Sequence, residues 1–376
     1  MRIPSVSLTR FLAATSALAA WLVAMAAIPA AAPAEEVSTP PNTWRENPSV
    51  VPRRDKLPKK VLVGTEVTGW DLVLAFPLEM RLQRMDELVE SMAEQAKVTY
   101  PGKRLDLVIL TEYFMSRPGD NPAQRAVRLE EVRPRIAACA KKYGCYMVVP
   151  LVLREEDPPL RYTNAAVLVD RNGQVAGIYR KVHPTSDLKA VVLEDGLTPG
   201  SNFPVFDCDF GRLGIEICYD IFYPDGWTAL AKQGVDIVAL PSETSETARP
   251  SGYAQQHRYY VVSATPKDHA AFFNPMGMIE AQATQQGVLV HEIDLSFEIV
   301  GDQVGLDQGQ GLTRKFGDKV GYNYYTGEDA GIFWSNDPTT TIGQMIASLG
   351  LPEMDEETWH TRVLQDKVRG GPPVLP

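Results

Sequence analysis

Apolar runs of strand length alternate with amphipathic stretches of helix length along most of this chain, and that alternation limits the fold more than any single residue does. "VLVGTEV" reads as a first strand, and "LEMRLQRMDELVESMAEQAK" (78–97) places Leu82, Met85, Leu88, Val89 and Met92 at helical spacing. "LDLVILTEYF" (105–114) returns to a strand, "AQRAVRLEEVRPRIAACAKKYG" to a helix and "CYMVVPLVL" to a strand. Such βαβ units bury their strands on both faces.

The middle of the chain changes register. "NAAVLVDRNGQVAGIYRKV" is two β runs around Asn172-Gly173, a strong hairpin signal. "FPVFDCDFGRLGIEICYD" turns at Phe210-Gly211, and a third hairpin, "AFFNPMGMIEAQATQQGVLVHEIDL", carries Asn274 to Gly277 and then Gln286-Gly287. Between them lie a helix-like stretch (225–234), the buried run "VDIVALP", a helix near 250–258 and "YYVVSATP". Strands outnumber helices, some joined by helices and some by hairpins, so the expected class is α/β (α+β): a two-sheet sandwich with helices outside. After Leu295 the rhythm ends. Residues 296–376 read as a Gly-rich extension with one helix, "TTIGQMIASLG" continued by "EMDEETWHTRVLQDKV", and a proline-rich end.

The first thirty-odd residues have the form of an export signal: Arg2 and Arg10, an apolar core, and "APA" at 32–34 before Glu35. The expected organisation is a cleaved signal at 1–34, an extended Pro-rich arm at 35–58, a core domain at 59–295 and an extension at 296–376. The mature chain is then periplasmic or secreted, with no stable membrane insertion after cleavage. Removing the signal leaves 35 basic and 47 acidic side chains, a formal charge of −12, which argues against a nucleic-acid partner. An exported chain permits disulfides. Cys139–Cys145 is one candidate bridge and Cys208–Cys218 the rival.

Four chemically able residues stand apart: Glu112 at the end of a buried strand, Lys181 in "YRKVH", Glu194 in "LEDGLTPG" and Cys218 in "EICYD". Singly each has a plain explanation, because acids cap helices, lysines are solvated and free cysteines fill cores. Together they form a chemistry. The thiolate is the reactive form of cysteine, a lysine favours it, and a carboxylate can take the proton and return it.

The order Glu112, "YRK", "E…PG" and "ICYD", followed by "FYPDGWTALAKQGVDIVALPS" and "NPMG…EIDL", resembles the nitrilase or carbon-nitrogen hydrolase superfamily over about residues 60–295. The resemblance implies an α-β-β-α sandwich that assembles as a homodimer or higher oligomer. It implies Glu112 as general base, Lys181 as stabiliser of the tetrahedral intermediate, Cys218 as nucleophile and Glu194 as supporting glutamate, with Asp195 beside it as the alternative. Asp220 orients the loop. Tyr113, Tyr219, Phe222 and Glu243 fall by position around the pocket. Thr111 and Pro184 stand where the family usually has proline and leucine, and neither changes a reacting atom.

Nitrile hydrolases typically follow the cysteine with Trp-Glu; here Tyr219-Asp220 resembles the amidase and carbamoylase branches. The expected substrate is a small-molecule amide or carbamoyl compound, cut at a non-peptide C–N bond without a cofactor. "DIFYP" stands where carbamoylases often place arginines, leaving Arg180, Arg249 and Arg258 as candidates for a substrate carboxylate. The five histidines include no i, i+4 pair of the helical zinc type, and no phosphate-binding glycine motif occurs. The rival readings are a nitrile hydrolase, acyl transfer to an amine, a Cys218 pair with His183 or His257, and a non-catalytic binding module on the same fold.

Overall fold

The computed structural model describes residues 52–186, 189 and 191–370. The expected signal at 1–34 and most of the arm at 35–58 lie outside the described residues. In chain order the first elements are β1 (Lys60–Val67), α1 (Trp70–Ala75), α2 (Leu78–Thr99), β2 (Leu107–Ile109), α3 (Pro122–Arg125), α4 (Leu129–Tyr143) and β3 (Tyr146–Glu155). Then come β4 (Arg161–Val169), β5 (Val175–Arg180), β6 (Phe206–Cys208), β7 (Gly211–Ile215), α5 (Pro224–Lys232), β8 (Ile237–Pro241), α6 (Ala248–His257) and β9 (Tyr260–Ala264). The last are β10 (Ala270–Phe273), β11 (Ile279–Ala283), β12 (Gly287–Asp294), β13 (Phe297–Gly301), α7 (Gln310–Phe316), β14 (Val320–Tyr325), β15 (Ala330–Ser335), α8 (Ile342–Ala347) and α9 (Met354–Arg369).

Two six-stranded sheets, β12-β1-β2-β3-β4-β5 and β11-β10-β9-β8-β7-β6, face one another. Alternation along each strand decides what each residue buries. Val61, Val63, Ile237 and Ala239 join the core between the sheets. Leu62 faces the other way with Met85, Val89 and Ile136 of α2 and α4. Val238 and Leu240 do the same with Trp227 and Leu230 of α5. The layering is therefore α-β-β-α, and central strands buried on both faces read as continuous apolar runs.

The structure departs from the sequence reading in five places. The helix expected over "AQRAVRLEEVRPRIAACAKKYG" is two, because Val127 leaves the helix to pair with β3, its N–H donating to Val152 O at 2.9 Å. Arg128 N–H, bonded to Glu131 Oε1 at 2.8 Å, then starts α4 anew. β2 is three residues long, since Thr111 turns away to donate its N–H to Glu66 Oε1 at 2.7 Å. The Gln286-Gly287 turn closes no hairpin: it carries the chain to the other sheet, where β12 pairs antiparallel with β1 from Val67↔Gly287 to Lys60↔Asp294. Within the arm, residues 52–58 are anchored, not extended; Arg53 is 8% exposed and its guanidinium donates to Val235 O at 2.7 Å.

The largest departure is the tail. β13, β15 and β14 form an antiparallel sheet with its own core of Val300, Leu312, Phe333 and Ile346. The single helix expected there is α8 and α9, separated by Gly350 at φ 70°. No helix among the described residues is long and apolar enough to cross a membrane.

Candidate active site

β2 in one sheet and β7 and β8 in the other, each paired parallel to a neighbour, have C-terminal ends that lead to one cavity, the end at which open α/β sheets place their ligands. Glu112 follows β2, Cys218 follows β7 and Glu243 follows β8, while Lys181 follows β5 from the side. A cavity of about 560 Å³ opens there, lined by Glu112, Tyr113, Lys181, Glu194, Cys218 and Glu243 among others. The structure thus brings together all four residues to which the sequence points as the reacting set, with Tyr113, Tyr219 and Glu243 around them. Phe222 is not in the lining. Its ring is 44% exposed, packs on Tyr219 at 4.8 Å and lies under the Arg249 guanidinium at 4.1 Å.

Lys181 is the hub. Its ammonium, 1% exposed, donates to Glu112 Oε1 at 3.0 Å and to Glu194 Oε1. Burial alone would lower its pKa, but the surrounding anions, Glu112 foremost, hold it well above the ordinary lysine value, so it stays charged. The other Glu112 oxygen accepts the backbone N–H of Glu243 at 2.9 Å. Glu194 is fixed at four points: by Lys181, the Thr185 N–H at 3.1 Å, the Tyr113 hydroxyl at 3.0 Å and Asn164 Nδ2 at 3.3 Å. Asp195, the alternative, is exposed and faces the cavity rim.

Cys218 opens a 3₁₀ turn, Cys218–Phe222, with φ of 45°. A non-glycine residue there is strained unless its surroundings hold it, and such strain gathers at functional sites. The restraint is Asp220. Its carboxylate accepts the Ile217 N–H at 2.9 Å, the Tyr179 hydroxyl at 2.8 Å, and the His183 N–H and Nδ1 at 2.9 and 3.0 Å. Burial, with the Glu112 anion second, pushes the Cys218 thiol up to about 12, against the opposing pull of Lys181. Tyr113 at φ 59° and Glu194 at φ 40° are strained in the same sense.

Neither candidate bridge forms. All four cysteines are free, Cys139 and Cys145 being buried in the core and Cys218 facing the cavity. The three arginines suggested for a substrate carboxylate are also elsewhere. Arg180 is spent on Glu155, Arg258 on Asp355, and Arg249 on Glu246 at 2.9 Å. His183 is held by Asp220 and stacks on Tyr223 at 4.0 Å, and His257 stacks between Tyr253 and Tyr259; neither lines the cavity.

Two site residues escaped the sequence reading. Asn164 on β4, 1% exposed, bridges the two carboxylates through Nδ2, at 2.7 Å from Glu112 Oε1 and 3.3 Å from Glu194 Oε2. The signal was a lone amide opening the buried run "NAAVLV", since a buried polar group requires partners. Arg125, at the end of α3, lies 4.0 Å over the Tyr113 ring in the cavity wall, and nothing in its local sequence marks it.

Comparison with known proteins bears on the family and the fold. A family model described as "Carbon-nitrogen hydrolase" matches residues 74–298. The chain is 31% identical over 131 residues to the deaminated glutathione amidase of Yersinia enterocolitica, a match covering 33% of this chain and 42% of that protein. It is 25% identical over 209 residues to an omega-amidase of Xenopus tropicalis, covering 50% of this chain and 72% of the relative. Among solved structures, Nit3 of Saccharomyces cerevisiae, a member of branch 10 of the nitrilase superfamily, shares the fold with a TM-score of 0.52 at 20% identity, over 66% of this chain and 93% of that one.

Proposed function

This chain belongs to the carbon-nitrogen hydrolase family, and from that premise we propose that it hydrolyses a non-peptide amide bond of a small molecule through a thioester on Cys218. The observation that carries the proposal is the convergence of Glu112, Lys181 and Cys218 on one cavity, with the carboxylate and ammonium 3.0 Å apart and excluded from water. A thiol pushed up to about 12 supplies little free thiolate near neutrality. The proton therefore leaves for Glu112 as the sulfur attacks the amide carbon. A C–S bond forms, and the oxyanion of the tetrahedral intermediate is stabilised by Lys181 and the Tyr219 N–H, a contribution elsewhere of about 3 kcal/mol per donor. The C–N bond then breaks as Glu112 returns the proton to the leaving nitrogen, releasing ammonia or an amine. Glu112 next takes a proton from water, the hydroxide attacks the thioester, and the C–S bond breaks with the thiol reprotonated.

The same proposal places the mature protein outside the cytoplasm, on the strength of Arg2, Arg10, the apolar run and "APA" before Glu35. N-terminal sequencing of the protein from an exporting host tests this. Assembly as a homodimer or higher oligomer rests on the family resemblance, and sedimentation tests it. The test of the chemistry is ammonia release beside Cys218→Ala across primary amides, carbamoyl amino acids and nitriles. Amide or carbamoyl hydrolysis that vanishes in the variant supports the reading, and a preference for nitriles, or silence throughout, overturns it.

A further inference from the structure

We propose that the cavity selects dipolar amides, molecules that present a carboxylate to Arg125 and an ammonium to Glu243 alongside the scissile amide. The inference rests on the amide-hydrolase reading and adds the class of substrate that this site takes.

The charges in the cavity wall divide into two sets. Glu112, Lys181 and Glu194 satisfy one another. Arg125 and Glu243 do not: among the described residues neither side chain makes a hydrogen bond or a direct ion pair. The Arg125 guanidinium lies 4.0 Å over the Tyr113 ring in the cavity wall, which holds it in place while its N–H groups stay without a hydrogen-bond partner among the described residues. A guanidinium edge matches a carboxylate bidentately. Beneath it is a second cation without a counter-charge. Arg81 is buried and donates only to carbonyls, of Val73, Phe76, Tyr113 and Phe114. Burial, and after it the charge of Arg125, push Arg81 down to about 10. Among the described residues no carboxylate makes a direct ion pair with either guanidinium, so a bound anion would give this end of the cavity the contact it lacks.

Glu243 is the opposite case. Its backbone N–H is given to Glu112, and its carboxyl is left facing the cavity without a donor. Burial and the nearby Glu112 anion push it up to about 7, while Arg125 and Lys181 draw it down. A substrate ammonium supplies the missing donor and cation together. Asp195, the remaining acid of the lining, is exposed at the rim and solvated. A cavity of about 560 Å³ lies well within the usual range for a small-molecule site.

The test uses four amides of equal chain length, bearing both charges, the carboxylate alone, the ammonium alone, or neither, with the whole chain and its Arg125→Gln, Arg125→Lys and Glu243→Gln variants. Wild type is expected to prefer the dipolar amide in kcat/KM. Arg125→Gln is expected to raise KM for the two carboxylate-bearing amides, relative to the two without, by about 10- to 100-fold, the factor that loss of a hydrogen bond to a charged group commands. Arg125→Lys restores part of it, which a folding defect would not. Glu243→Gln is expected to act in the same way on the ammonium-bearing pair. A uniform change across all four amides, an effect confined to one charge, or a preference for the neutral amide overturns the proposal. Its failure is separable from that of the hydrolase reading: titration calorimetry with Cys218→Ala reads binding without turnover. Arg125-dependent binding of the dipolar amide with no hydrolysis by wild type would keep this inference and sink the other.

Discussion

The ammonium of Lys181 stands 3.0 Å from a Glu112 oxygen with each side chain 1% exposed, so each charge is compensated by the other and not by water. Glu194 on the far side of the ammonium makes the group a triad of two anions and one cation. Lys181→Met leaves the two carboxylates facing each other across an apolar stem. The expected outcome is a loss of about 3–5 kcal/mol of stability together with activity. Glu112→Gln keeps shape and the Asn164 neighbourhood, so it is expected to lower kcat by about 10²- to 10⁴-fold at a smaller cost in stability. Denaturant unfolding beside steady-state rates checks both, and a Lys181→Met protein as stable as wild type refutes the first.

The reactivity of Cys218 should carry the mark of its neighbours. Burial pushes its thiol up to about 12, with Glu112 raising it further and Lys181 lowering it. Alkylation by iodoacetamide is therefore expected to quicken about tenfold per pH unit from about pH 6 to about pH 9, since only the thiolate reacts. Glu112→Gln removes the anion and should alkylate faster than wild type at each pH while hydrolysing less. A wild-type rate that levels off near the free-thiol value of about 8.5 contradicts this.

Much of the fold was legible because its signals are local. Asn172-Gly173 marks the β4–β5 hairpin, and strands buried on both faces read as apolar runs. The tail was not legible, because two of its glycines, Gly321 and Gly331, are strand packing sites rather than loop residues. A Cβ on Gly321 would meet Trp334 Nε1 at 2.2 Å, and one on Gly331 would meet the Phe333 ring at 2.9 Å, so aromatic rings of the small sheet occupy the room. In the site, the residues that sit where strands end were found by their order along the chain. Arg125 was not, because its role comes from α3 turning it over Tyr113, a tertiary fact that leaves no pattern in "NPAQRAV".

Glu66 is expected to make stability depend on pH. It is fully buried, with Oε1 accepting the Thr111 N–H at 2.7 Å and Oε2 the Thr68 hydroxyl, and burial raises its pKa from 4.5 to about 7. A carboxyl raised by folding contributes stability that is fully present below about 4.5 and is lost as pH rises through about 7. The difference of about 2.5 pH units corresponds to on the order of 3 kcal/mol. Glu66→Gln should therefore melt higher than wild type above about pH 7 and lose that advantage below about pH 5, as read from Tm against pH. Parallel curves for the two proteins would refute the assignment.

Gly200 ties "LTPG" to the hub. Its N–H donates to Lys181 O at 2.8 Å, and a Cβ there would lie 2.1 Å from Arg180 O, which is backbone and cannot rotate away. Gly200→Ala should cost about 1–3 kcal/mol and displace Lys181, lowering kcat more than it raises KM. Calorimetric melting and kinetics check this, and a variant with wild-type kcat shows that the lysine is positioned from elsewhere.

Asp220 binds the turn that carries Cys218 to the segment that carries Lys181, since the same carboxylate accepts Ile217 N–H and His183 N–H, both at 2.9 Å. Its hydrogen bond to the His183 ring raises the imidazole pKa above 6.5, against the effect of partial burial, with Asp225 adding a second anion at 3.4 Å. For a base raised by folding, the stabilisation is fully present below 6.5 and is lost as pH rises through the higher folded value. His183→Gln should remove that part of the slope of Tm against pH while leaving the backbone bond to Asp220 in place. Asp220→Asn should do more. An amide offers one acceptor oxygen where the carboxylate offered two, so Tyr179, Ile217 N–H and His183 compete for it, at a cost of about 1–3 kcal/mol. If the shared carboxylate positions nucleophile and lysine together, kcat falls in Asp220→Asn well beyond its fall in His183→Gln, with KM changing less. Equal kcat values in the two variants would show that Cys218 keeps its strained backbone without this anchor.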